Sequence, residues 1–206
     1  MFFLRGLTVL AAINAVRSSA CPDITSLRSS NITSNFSPEM LEGVWYELAY
    51  QDPAQIGSTC PSLNATVDAK TGIMTAPFSV KYGPIPFTIV EEYSPTSEVG
   101  IYGKVALPPT GPRVQQHPLS AAKATLTLPT VFVDVTTASS SSTHYDTMTL
   151  YSCLEVDGAA VTELVFASRS QTSDPDTLAS MEAIARAQGV QWDNETLVQT
   201  NYDGCS

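Results

Sequence analysis

Four cysteines and two histidines have the widest chemical reach in this chain: Cys21, Cys60, Cys153 and Cys205, and His117 and His144. Nucleophilic catalysis needs a base within hydrogen-bond reach of the nucleophile, and neither histidine sits in a hydrolase-like elbow. The serines gather instead in runs such as Ser139 to Ser142, which read as flexible loop. No catalytic residue, metal site or cofactor is expected. The even cysteine count points to disulfides rather than a reactive thiol, and four cysteines allow three pairings between which the residues alone do not choose.

The first residues indicate the compartment. Met1-Phe2-Phe3-Leu4-Arg5 is a short cationic start, Leu7 to Val16 is mostly apolar, and Ser18-Ser19-Ala20 places small residues before Cys21. Residues 1–20 are therefore expected to be a cleaved signal peptide and residues 21–206 one domain. Asn14 and Arg17 interrupt the apolar run short of the roughly 20 residues that a membrane span needs, so no stable membrane anchor is expected. Removing residues 1–20 takes away Arg5 and Arg17 and no acid, so the formal charge of −10 becomes −12. So acidic a chain repels phosphate backbones and disfavours nucleic acid as a partner. Sequons at Asn31-Ile32-Thr33, Asn64-Ala65-Thr66 and Asn194-Glu195-Thr196 fit a secreted, extracellular glycoprotein; a fourth, Asn35-Phe36-Ser37, is compromised by Pro38.

The elements that must hold these residues are mostly strands, because Pro, Gly and Ser clusters recur about every ten residues. Strands are expected at Val44–Tyr50, Leu63–Asp68, Ile73–Ala76, Pro86–Tyr93, Ile101–Leu107, Ala124–Leu128, Val131–Thr136, Met148–Glu155 and Val161–Ser168. Turn chemistry marks Ala69-Lys70-Thr71-Gly72, Ser94-Pro95-Thr96-Ser97 and Val156-Asp157-Gly158, and Pro108 to Pro118 is a Pro-rich connection. About eight strands is the number that closes into a barrel around one small ligand. One helix is expected: Asp174 caps it, Pro175 starts it, Leu178, Met181, Ile184 and Ala185 form a packing stripe, and Gly189 ends it.

Gly43-Val44-Trp45-Tyr46-Glu47 before the first strand resembles the first signature of the lipocalins. Tyr151-Ser152-Cys153, the strand Leu164-Val165-Phe166-Ala167-Ser168-Arg169, the Pro-started helix and Cys205 follow in the order found in the group of apolipoprotein D, the bilin-binding proteins and the bacterial lipocalins. The usual Thr-Asp-Tyr stretch is replaced by Ser142-Thr143-His144-Tyr145-Asp146, and residues 74–142 carry strand patterning only. The resemblance implies an all-β fold, an eight-stranded up-and-down antiparallel barrel with one C-terminal helix packed outside. It implies pairing of Cys21 with Cys153 and of Cys60 with Cys205. It also implies that Gly43, Trp45 and Arg169 meet at the closed end as structural residues, the guanidinium over the indole being worth about 0.5–2 kcal/mol.

Strand alternation sends every second side chain inward. With Trp45 inward, Glu47 and Ala49 are expected to face the cavity; candidates on other strands are Phe78, Phe87, Ile89, Tyr102, Phe132 and Tyr151. A Glu47 turned into an apolar cup has a raised pKa and meets an amine or hydroxyl of a ligand, or else water or an arginine. The resemblance implies binding and transport of a small hydrophobic ligand, such as a fatty acid, sterol, retinoid, carotenoid or tetrapyrrole, rather than enzymatic activity. A cell-surface receptor is a candidate second partner. The alternatives are a lipocalin-fold enzyme acting on a lipid or carotenoid, a secreted protein-binding effector, a haem ligated by His117 or His144, and a lipidated Cys21.

Overall fold

The computed structural model describes residues 20–107, 126–138, 142–172 and 174–205. Residues 1–19 of the expected signal peptide, His117, the Pro108–Pro118 connection, the start of the Ala124–Leu128 strand and residues 139–141 lie outside them. Eight strands follow one another: β1 (Gly43–Gln51), β2 (Thr59–Val67), β3 (Met74–Tyr82), β4 (Ile85–Pro95), β5 (Ile101–Leu107), β6 (Leu128–Thr136), β7 (Thr147–Val156) and β8 (Ala159–Ser168). All pairings are antiparallel between sequence neighbours, and β1 joins β8 to β2, which closes an up-and-down barrel. A ninth short strand, β9 (Val198–Gln199), pairs with β1 at Ala49 and Tyr50, beyond the point where β2 has left it. The helices are α1 (Ser30–Asn35) and α2 (Pro175–Ala187).

Local chemistry accounts for the turns. The Asp68 carboxylate accepts hydrogen bonds from the backbone N–H of Lys70 and Thr71, both at 2.9 Å, and Gly72 takes φ +70° to bring the chain into β3. Asp157 and Gly158 both have positive φ, +51° and +81°, so they form the two-residue turn whose twist suits a hairpin, and β7 and β8 pair from Val156↔Ala159 onward. Two prolines made strands look shorter than they are. Pro77 lies within β3 and Pro129 within β6, each forfeiting one ladder donor while its neighbours keep theirs. β3 therefore runs on to Tyr82, and the stretches around Pro129 form one strand.

Inward side chains at one end pack into a solid plug around Trp45, with Leu41, Met74, Tyr102, Phe132 and Met148. Outward side chains of β1, β6, β7 and β8 meet Leu178, Met181 and Ala185 of α2 in a second cluster outside the barrel. Asp174 caps α2 by accepting from the N–H of Asp176 at 3.1 Å, and Gly189 at φ +93° follows its end. Two disulfides, Cys21–Cys153 and Cys60–Cys205, tie each terminal segment to the wall. They span 132 and 145 residues, so chain entropy alone gives about 4–5 kcal/mol apiece.

The closed end is held by one arginine. The guanidinium carbon of Arg169 lies 3.7 Å from the centroid of the Trp45 ring. Its nitrogens donate to the carbonyls of Tyr145 (2.9 Å), Val44 (3.0 Å) and Met40 (3.2 Å), and the Trp45 indole donates to the Leu41 carbonyl at 2.7 Å. Gly43 must be glycine here twice over: its φ is +100°, and a Cβ would come within 3.2 Å of Arg169 Nη1. Lysine keeps the charge but not the three-way fork. Arg169→Lys is therefore expected to lower stability by about 1–3 kcal/mol, read as a lower urea midpoint. An unchanged midpoint would show that the fork carries no load.

Candidate functional site

The other end of the barrel is open, and its cavity is built from the inward rows of β3, β4 and β5 with the loop after β1. Alternation places Phe78 and Val80 of β3, Phe87, Ile89 and Glu91 of β4, and Lys104 and Ala106 of β5 along its walls. The β1–β2 loop folds across the mouth because Asp52 caps the turn Pro53–Gln55 and Tyr82 donates to the Ala54 carbonyl at 2.7 Å. The resulting void measures about 240 Å³ and is predominantly apolar, with Leu126 and Leu128 completing the wall.

Its floor is polar. Lys104 Nζ ion-pairs with Glu163 and lies 3.5 Å from Glu91 Oε1, while the Tyr93 hydroxyl donates to Glu91 Oε2 at 2.6 Å. Burial alone would lower the Lys104 pKa, but Glu91 and Glu163 outweigh it and hold the ammonium protonated. Burial raises Glu163 against the pull of Lys104. Below this ring is a second, smaller space of about 20 Å³, lined by Glu47, Gln55, Leu63, Leu150 and Val165 among others. Glu47 is only 3% exposed. Its Oε1 accepts from Gln55 Nε2 at a long 3.4 Å, while Glu47 Oε2 and Gln55 Oε1 have no partner among the described residues. Burial first, and Glu91 second, push the Glu47 pKa well above the ordinary carboxylate range.

Of the residues expected to face the ligand, Glu47, Phe78, Phe87 and Ile89 line this cavity. Tyr102 and Phe132 point inward but belong to the plug, their rings edge-to-face at 5.4 Å. Ala49 and Tyr151 must be corrected: both lie in the outer cluster. A β-bulge between Glu47 and Ala49 inserts one residue, so Leu48 and Ala49 both turn out, and Ala49 pairs with Phe166 of the outer wall. Tyr151 is outward because its neighbours Leu150 and Ser152 line the interior. Asn31, Asn64 and Asn194 are all exposed, and the Asn31 amide donates to Asp134 and to the Val135 carbonyl, both at 3.1 Å. His144 is more than half exposed, beside Asp146 in the β6–β7 connection and away from the cavity.

The sequence reading missed the floor: Asp52, Gln55, Glu91, Tyr93, Lys104 and Glu163. A signal existed for three of them. Once Phe87 and Ile89 are inward, so are Glu91 and Tyr93 at the same parity, and Tyr102 similarly implies Lys104.

The buried acid makes stability fall with pH. The unfolded Glu47 ionises near 4.5, the folded one only at a higher pH, so between those values the native state holds a proton that the unfolded state has lost. Glu47→Gln removes that penalty. Its urea midpoint is expected to match the wild type near about pH 4 and to exceed it increasingly at higher pH, by about 1.4 kcal/mol per pH unit within the window. A constant difference across pH would contradict the raised pKa.

No family model matches the sequence, and no curated protein matches it. Solved structures do match in shape. Insecticyanin from the tobacco hornworm Manduca sexta superimposes with a TM-score of 0.61 at 14% identity, covering 88% of this chain and 86% of that one. Apocrustacyanin C1 gives 0.59 at 18% identity, covering 82% and 83%, and lobster apocrustacyanin A1 gives 0.54 at 18% identity, covering 77% and 76%. At such identities the likeness is one of architecture. With eight closed strands, an outer C-terminal helix and an open cup above a tryptophan plug, this chain has the lipocalin fold.

Proposed function

We propose that the chain is a secreted lipocalin that reversibly binds and carries a small hydrophobic molecule inside its barrel. The observation that carries this reading is the void of about 240 Å³, walled by Phe78, Val80, Phe87, Ile89, Leu126 and Leu128 and open at the mouth. A protein interior is normally close-packed, and a water molecule occupies about 30 Å³, so an apolar space of this size is several waters large and favours an apolar solute that displaces them. The volume lies just below the roughly 300–1,000 Å³ of pockets for drug-sized ligands, which suits a compact molecule or one end of a longer one. Phe87 and Leu126 remain 43% and 65% exposed at the rim, an apolar entrance for an apolar solute. Two disulfides and the signal-like residues 1–20 support an extracellular setting.

A carrier fits the floor better than an enzyme does. Lys104 is engaged by Glu91 and Glu163, Ser152 shares a hydrogen bond with Thr130 at 2.8 Å, and among the described residues no histidine or cysteine lines the cavity.

The test is binding of N-phenyl-1-naphthylamine, a neutral probe whose fluorescence rises in apolar surroundings. The wild type is expected to bind it, Ile89→Trp to bind it about tenfold more weakly or worse by filling the void, and Val44→Ala, exposed and outward on β1 next to the inward Trp45, to leave it unchanged. Absence of wild-type binding, or full binding by Ile89→Trp, overturns the reading.

A further inference from the structure

We propose that the ligand is a compact amphiphile ending in a primary amine, its ammonium seated in the small space beneath the polar ring against Glu47 Oε2 and Gln55 Oε1. This rests on the carrier reading and specifies the chemistry of the same cavity.

Three observations converge on it. The lower space is about 20 Å³, enough for one non-hydrogen atom such as a water, an ammonium nitrogen or a hydroxyl oxygen, and too small for a carboxylate. Two buried oxygens face it without a hydrogen bond: Glu47 Oε2 and Gln55 Oε1, on side chains 3% and 4% exposed. An orphaned buried acceptor costs about 1–3 kcal/mol, and an ammonium supplies three donors at one atom. The charge balance completes the case. Four acidic residues, Glu47, Asp52, Glu91 and Glu163, line the space with the single cation Lys104, which is already committed to Glu91 and Glu163, so an ionised Glu47 has no cation of its own. The space above the ring is apolar and holds the ligand's body.

In the free protein burial, and after it the neighbouring carboxylates, shift Glu47 toward its protonated form. Glu91 on β4 and Asp52 in the loop after β1 favour the proton, whereas the Gln55 amide and Lys104 on β5 oppose it, and Glu163 of β8 also lines the space. The phenols of Tyr50, Tyr93 and Tyr202 also feel the Glu47 charge. Arrival of an ammonium reverses the preference: Glu47 releases its proton to solvent and becomes the counter-ion. Amine affinity therefore rises with pH until Glu47 ionises unaided, and a neutral ligand's does not. An anionic head meets the excess negative charge of Asp52, Glu91 and Glu163 around the single Lys104 and is repelled.

The test uses one apolar body with three heads: 2-(1-naphthyl)ethylamine, 2-(1-naphthyl)ethanol and 1-naphthylacetate, titrated into the disulfide-bonded chain by calorimetry. The amine is expected to bind about tenfold or more tighter than the alcohol, with the acetate weakest. Glu47→Gln is expected to erase the amine's advantage and leave the alcohol within about twofold. Independently of any variant, wild-type titrations in two buffers of different ionisation enthalpy are expected to show proton release with the amine and none with the alcohol. The proposal is overturned if the alcohol matches the amine, if Glu47→Gln keeps the amine's advantage, or if no proton is released anywhere between about pH 5 and 8. It is also overturned if the lower space holds only a water, in which case all heads bind alike. Failure of all three compounds together with N-phenyl-1-naphthylamine sinks the carrier reading itself; failure of the three while that probe binds sinks only this one.

Discussion

Strand β1 has to serve two neighbours, and the rest of the molecule depends on how it does so. It pairs with β8 from Tyr46 to Gln51, and with β2 only from Gly43 to Tyr46. Where β2 departs, β9 takes over its hydrogen bonds at Ala49 and Tyr50. The C-terminal segment is thereby drawn along the barrel to Cys205, which is bonded to Cys60 at the start of β2. The bulge after Glu47 resets the alternation, so Trp45 and Glu47 face the interior while Leu48 and Ala49 face α2. One strand thus supplies the plug, the buried acid beneath the cavity and part of the surface on which the helix packs.

The interior divides by chemistry along the barrel axis. At the closed end the tryptophan and arginine leave no room, because Arg169 satisfies three carbonyls that would otherwise be stranded. At the open end apolar side chains surround empty space. Between them lies a ring of charges that would be prohibitive singly and is tolerable because each charge has a partner: Lys104 between Glu91 and Glu163, and Glu91 also accepting from Tyr93. Glu47 is the member left over, and desolvation without a cation leaves it favouring its proton.

Much of the architecture was legible in the residues. Asp157-Gly158 and Asp68 to Gly72 announce hairpins through backbone angles that few residues tolerate, and Asp174-Pro175 announces a helix start through capping chemistry. These are local effects, decided within four or five residues. Pro77 and Pro129 misled because their penalty is also local, whereas the strands containing them are held by neighbours on both sides.

By itself, then, the sequence determined most of the barrel strands, the hairpin turns, the long helix α2 and, through Gly43-Val44-Trp45 and Arg169, the resemblance to a barrel closed at one end, but not α1, β9 or the continuity of β6. Tertiary structure decided which face each residue occupies past the bulge, sending Ala49 and Tyr151 outward. It also brought Glu47, Gln55, Glu91, Lys104 and Glu163, from three strands and a loop besides β1 itself, around one small space. The physical reason is range: turns and caps are set by nearest neighbours, whereas a bulge is imposed by the partner strand, and a buried charge is tolerated only where distant residues converge to meet it.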